Sequence, residues 1–118
     1  MPVKEDVEQF LNALHGKMKS FEIRYRPRDK NLKSLADLDI PGNERRKVIF
    51  SLTYEDCFSG PNEDTYMKPP MPDYYEFGKE IKGYTVYIKI NLGRTNKPID
   101  CMSFHIAERP ITYPLKND

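Results

Sequence analysis

The stretch Val86-Tyr87-Ile88-Lys89-Ile90-Asn91-Leu92 and its counterpart Cys101-Met102-Ser103-Phe104-His105-Ile106 decide how this chain folds. Each alternates apolar and polar residues, and successive side chains of a strand point to opposite faces. Val86, Ile88, Ile90 and Leu92 therefore share one face, with Thr85, Tyr87, Lys89 and Asn91 on the other. In the second run the period assigns Met102, Phe104 and Ile106 to the apolar face and Cys101, Ser103 and His105 to the polar one. The short, turn-rich connection Gly93-Arg94-Thr95-Asn96-Lys97-Pro98 favours an antiparallel hairpin, and a common core requires the two apolar faces to coincide. Register then gathers Tyr87, Lys89, Ser103 and His105 on the opposite wall, with His105 expected on the solvent side. A phenol, an ammonium, a hydroxyl and an imidazole are the groups that metal-free phosphodiester chemistry uses.

Working outward, Val3, Val7, Phe10, Leu11, Leu14 and Met18 recur at helical spacing and predict an amphipathic helix over about residues 3–18. Phe21 to Arg26 alternates as a strand that Pro27 stops. Asp29 and Asn31 are candidate N-caps of a second helix carrying Leu32, Leu35, Ala36 and Leu38 inward. A third helix is expected over Glu44 to Leu52, followed by a capping turn at Thr53-Tyr54-Glu55-Asp56. Four prolines between Gly60 and Pro72 predict a long loop there, since proline suits neither a helix interior nor a central strand. Strands resume at Tyr74 to Lys79 and Tyr84 to Leu92, and Ala107 to Pro114 reads as an extended edge or tail. Helices toward the front and an antiparallel meander at the back make an α+β domain spanning residues 1–118.

Composition narrows the function classes. With 31% charged residues and no apolar run near the roughly 20 residues of a membrane span, no membrane association is expected. The start of the chain lacks a signal-like apolar region, and Cys57 and Cys101 read as free thiols in a reducing cytoplasm. Two histidines and two distant cysteines are too few for a zinc site, so neither metal nor cofactor is expected. The first 50 residues carry eleven Lys and Arg against eight Asp and Glu, with clusters at Arg24-Tyr25-Arg26-Pro27-Arg28 and Arg45-Arg46-Lys47. If Phe21, Ile23 and Tyr25 are buried, Arg24 and Arg26 form a guanidinium row suited to phosphates.

The order of helix, short strand, Arg-rich turn, two helices, Gly-Pro segment, Phe77-Gly78-Lys79, Val86-Tyr87-Ile88-Lys89-Ile90 and Ser103-Phe104-His105 resembles the MqsR family of toxins from bacterial toxin–antitoxin pairs. The likeness covers most of residues 7–110. It implies a RelE-like ribonuclease fold, metal-free cleavage of mRNA and a cognate antitoxin as protein partner. It places the family tyrosine at Tyr87 and puts His105 where the family has a lysine after Ser-Phe. Two departures accompany this: Ser59 stands at a second lysine position, and Asp73 or Tyr74 at a glutamine position.

Metal-free cleavage uses the substrate's own 2′-hydroxyl as nucleophile. An imidazole is suited to that proton transfer near neutral pH, which assigns the acid–base role to His105. Tyr87 is expected to bond the phosphate or stack on a base, and Lys89 to supply fixed charge. Arg24, Arg26 and Lys79 are the candidate phosphate-binding residues, with Glu76 and Glu108 as possible orienters of His105. Two other classes fit the same residues. One is a non-catalytic relative whose tyrosine-rich sheet face binds a regulatory protein. The other is an enzyme acting on a small phosphorylated ligand, which requires an enclosed pocket. A nuclease needs Arg24 and Arg26 beside His105; a protein-binding module does not.

Overall fold

A computed structural model describes residues 1–116 and shows an α+β arrangement of three helices and one five-stranded sheet. The helices are α1 (Lys4–Lys17), α2 (Asp29–Leu38) and α3 (Glu44–Phe50), and the strands β1 (Ile23–Tyr25), β2 (Cys57–Asp64), β3 (Met71–Ile81), β4 (Tyr84–Asn91) and β5 (Ile99–Ile106). The sheet order is β1-β5-β4-β3-β2, antiparallel throughout except that β1 pairs parallel with β5. No helix among the described residues is long and apolar enough to cross a membrane.

Helix α1 forms as its spacing predicts. Val7, Phe10, Leu11 and Leu14 make its buried stripe, with Glu5 and Asp6 in the first turn and His15 and Lys17 in the last. Phe10 stacks on Tyr75 at 4.3 Å and lies 6.3 Å from Phe77, which seats the helix on the apolar side of β3. Ile49 of α3 and Leu38 of α2 join the same cluster, together with Phe77, Val86, Ile88, Ile90 and Phe104. The sheet's other face holds the polar residues of the alternating runs.

Helix α2 departs from its expected orientation. Its buried residues are Asn31, Ser34 and Leu38, whereas Leu32 is 52% exposed and Ala36 also faces solvent. Arg28 occupies the N-cap position without a side-chain bond, so neither Asp29 nor Asn31 caps the helix. The reason lies in the sheet edge. β1 covers β5 only from Ile99 to Cys101, and beyond that point the backbone of β5 needs other partners. Asn31 Oδ1 accepts the Phe104 N–H at 2.9 Å, Asn31 Nδ2 donates to the Met102 carbonyl at 3.4 Å, and Ser34 Oγ accepts the Ile106 N–H at 2.8 Å. Two polar side chains one helical turn apart thus stand in for a sixth strand.

The proline-rich segment also departs from expectation. Residues 57–64 form an edge strand and 71–72 already belong to β3, leaving 65–70 as the loop. An edge position tolerates Pro61, because a missing N–H on the outer side breaks no ladder bond, and three register shifts absorb the irregular residues. The capping turn forms as read: the Thr53 N–H donates to Asp56 Oδ2 at 2.9 Å ahead of a 3-10 turn, Tyr54–Asp56.

The β4–β5 hairpin is antiparallel, with Tyr87 opposite His105, Ile88 opposite Phe104 and Lys89 opposite Ser103. A bulge then pairs Ile90 with Cys101 and leaves Met102 extra. The bulge corrects two face assignments. Cys101 joins the core cluster, whereas Met102 stays outside it, with its sulfur 3.7 Å from Asn91 Nδ2. In the connecting turn Gly93 is obligatory: it has φ +72°, and a Cβ there would stand 1.9 Å from the Pro98 carbonyl oxygen.

Candidate functional site

On the face opposite α1 and α3, the registers of the five strands line up residues in rows. Gly78, Tyr87 and His105 form one row across β3, β4 and β5. Ser59, Glu76, Lys89 and Ser103 form the next, and Tyr74, Asn91, Asp100 and Arg24 the third. The parallel pairing of β1 with β5 places Arg24 opposite Asp100, on the same face as His105 but two rows away and not beside it as the nuclease reading expects. Nothing in local sequence pattern signalled that pairing.

Tyr87 is the hub. Its hydroxyl donates a short hydrogen bond to Glu76 Oε2, its ring lies 5.1 Å from the His105 ring, and Phe58 lies 6.0 Å away on its other side. Burial, reinforced by the Glu76 carboxylate, raises the Tyr87 phenol far above its ordinary range, so it acts as a neutral donor. The nearby Arg28 guanidinium opposes that shift and marks a further cation beside the site that sequence reading did not single out. Glu76 is held in turn by Asn62, whose Nδ2 also donates to Ser59 Oγ at 3.1 Å.

His105 lies on the expected face but not in the expected surroundings: it is only 9% exposed. Its Nδ1 is 3.0 Å from the Ile106 carbonyl oxygen. A carbonyl only accepts, so Nδ1 carries the proton of the neutral ring and Nε2 keeps the lone pair. Neither acidic orienter reaches it. Glu76 bonds Tyr87, and Glu108 forms a 2.6 Å ion pair with Lys30.

The cations divide into those facing the wall and those engaged elsewhere. Lys89 stands over the Tyr74 ring, Nζ 4.4 Å from its centroid, and has no carboxylate within 4.0 Å among the described residues. Arg24 is exposed. Arg26 grips Asp100 with two bonds, Nε to Oδ1 at 3.1 Å and Nη2 to Oδ2 at 2.7 Å, which raises its own pKa further and occupies the fork. Lys79 does not join the wall. It alternates to the helix side of β3 and pairs with Asp56 at 3.2 Å. The Arg45-Arg46-Lys47 cluster is also remote, with Arg45 stacked on the Tyr25 ring at 3.8 Å and Arg46 bonded to the Met18 carbonyl.

The remaining reactive side chains have structural surroundings. Burial pushes the Cys57 thiol up to about 11 and the Cys101 thiol up to about 12, so neither presents a thiolate at neutral pH. His15 bonds the Ile49 carbonyl at 3.0 Å across the α1–α3 contact. Comparison with protein-family models, curated proteins and solved structures returns no match to this chain.

Proposed function

We propose that this protein is an endoribonuclease toxin of the MqsR type with a RelE-like fold, cleaving mRNA without a metal and held inactive by a cognate antitoxin in the cytoplasm. The observation that carries the reading is the placement of Tyr87, Lys89 and His105 in adjoining rows of one sheet face, with Arg24 on the same face two rows from His105. Of the other positions that the family resemblance picks out, Ser59 lies in the adjoining row, and of Asp73 or Tyr74 it is Tyr74 that lies on that face, one row further.

In this reading His105 Nε2 takes the proton of the 2′-hydroxyl, and the 2′-oxygen attacks the adjacent phosphorus. Lys89 supplies fixed positive charge to the phosphorane, and the neutral Tyr87 hydroxyl turns from Glu76 to a phosphate oxygen. The P–O5′ bond then breaks, and the 5′-oxygen takes its proton from the imidazolium formed in the first step. The products carry a 2′,3′-cyclic phosphate and a 5′-hydroxyl. Arg24 holds a neighbouring phosphate from the edge of the wall.

The test is incubation of the purified protein with single-stranded RNA in the presence of EDTA. Cyclic-phosphate ends should appear, and His105→Ala should slow cleavage by about 10² or more. Undiminished cleavage by folded His105→Ala, or cleavage of an all-deoxy substrate, would overturn the mechanism. The second reading, a protein-binding relative, is favoured by the half-buried aromatic set Phe58, Tyr74 and Tyr87 on the same face. It expects no RNA affinity even at low salt.

A further inference from the structure

The sheet face that carries His105 has a cover of its own, the segment that follows β5. Gly78 occupies the outer-face position of β3 opposite Tyr87. A Cβ added to it would meet the Tyr113 hydroxyl at 2.3 Å and Ile111 Cδ1 at 2.9 Å. Glycine in the middle of an internal strand weakens that strand, and here its absent side chain is the seat on which the tail rests. Ile111 and Tyr113 are partly buried while Thr112 between them is exposed, as in an extended segment pressed down along one side, and a turn at Pro114 and Leu115 follows. Leu115 reaches the core cluster.

The tail begins two residues after His105. The Ala107 N–H donates to the Thr85 carbonyl at 2.8 Å, and Glu108 is tied to Lys30 of α2 at 2.6 Å. The Lys30 ammonium lowers the Glu108 pKa. Beyond that point Pro110 and Pro114 offer no N–H, and the segment is held by side chains more than by a ladder. Segments of that kind open at lower free energy than the sheet beneath them.

We propose that residues 107–116 are an autoinhibitory latch: seated on Gly78, they close the Tyr87–His105 row, and the site becomes accessible to a polynucleotide only when they lift. This rests on the ribonuclease reading for the identity of what enters, and on the seat at Gly78 for the latch itself.

Diethyl pyrocarbonate, which labels neutral imidazoles, separates the two. The full chain is treated, His105 and His15 are quantified in tryptic peptides by mass spectrometry, and His15 serves as internal reference. Two variants lift the latch from opposite sides: Gly78→Val fills the seat, and Ile111→Ser with Tyr113→Ser removes the anchors while leaving the sheet intact. Labelling of His105 should rise about tenfold or more over the full-chain rate in both, with His15 unchanged. If Gly78→Val fails to fold by circular dichroism, the double serine variant decides alone. A His105 rate within about twofold of the parent in a folded variant overturns the latch, as does parent His105 reacting as fast as free N-acetylhistidine. Cleavage of a single-stranded RNA oligonucleotide is measured in parallel and should rise with labelling. His105 that opens without any cleavage leaves the latch standing and removes the ribonuclease reading.

Discussion

The two faces of the sheet are made from the same strands with the same period, yet their side chains do opposite work. On the helix side, Phe77, Ile88 and Phe104 are packed to exclusion of water. One residue along each strand, Glu76 and Tyr87 meet instead through a hydrogen bond and Tyr87 and His105 through a ring contact. The difference teaches that alternation sorts residues by chemistry, while exposure is set by what later lies over each face. His105 is on the polar face and is nonetheless nearly closed to solvent.

That comparison breaks first if the faces prove energetically alike. Phe104→Ala should cost about 4 kcal/mol in urea denaturation, because it empties a fully packed position. Lys89→Ala, on the neighbouring strand's other face, should stay within about 0.5 kcal/mol. Equal costs would show that the outer face is part of the core.

The edge of β5 gives a sharper contrast of somewhat smaller size. Asn31→Ala strands the buried Phe104 N–H and Met102 carbonyl and should destabilise by about 2 kcal/mol. Leu32→Ala, one residue along and more hydrophobic by type, should change stability by less than about 0.5 kcal/mol. The reverse order in thermal or urea melts would undo the account of α2.

For the cations, Arg24→Ala should weaken RNA binding for all sequences and lower the slope of log affinity against log salt by about one phosphate contact. Lys79→Ala, whose ammonium is on the helix side, should leave that slope unchanged. A salt slope that responds to Lys79 and not to Arg24 would move the RNA path off the polar face.

The smallest effect concerns alkaline pH. The Cys57 thiol rises from 9.0 to about 11 in the folded protein. The unfolded chain therefore releases this proton first, and the contribution is fully present below pH 9 and is lost as pH climbs toward the folded value. Cys57→Ala should flatten the decline of stability between those limits. Iodoacetamide should leave Cys57 and Cys101 unmodified in the native protein at neutral pH, and rapid modification of either would contradict their burial.

Much of this was legible in residue order. The period-2 runs at 86–92 and 101–106 fixed which of Tyr87, Lys89, Ser103 and His105 would share a wall, and the 3.6-residue stripe of Val7, Phe10, Leu11 and Leu14 fixed α1. The bulge at Met102 was not legible, because a one-residue insertion shows only once a partner strand supplies the count against which it is extra. Residues 60–64 belong to an edge strand where the prolines predict a loop, since proline excludes a central strand but not an edge, and edge position is a property of the assembled sheet. Helix α2 buries Leu38 as its spacing predicts but exposes Leu32 and Ala36, because its buried face is chosen by the unpaired N–H groups of β5.

By itself, then, the sequence determined the elements whose residues interact with near neighbours along the chain: the amphipathic helix, the capping turn at Thr53 and the two-faced hairpin. Such contacts recur at fixed spacing and leave a periodic trace. The tertiary structure alone decided the parallel docking of β1 that sets Arg24 opposite Asp100, two rows from His105, the Asp100 fork that occupies Arg26, the diversion of Lys79 and the tail seated on Gly78. Those contacts join residues tens of positions apart, and no local period encodes which distant backbone will need a partner or which face a final segment will cover.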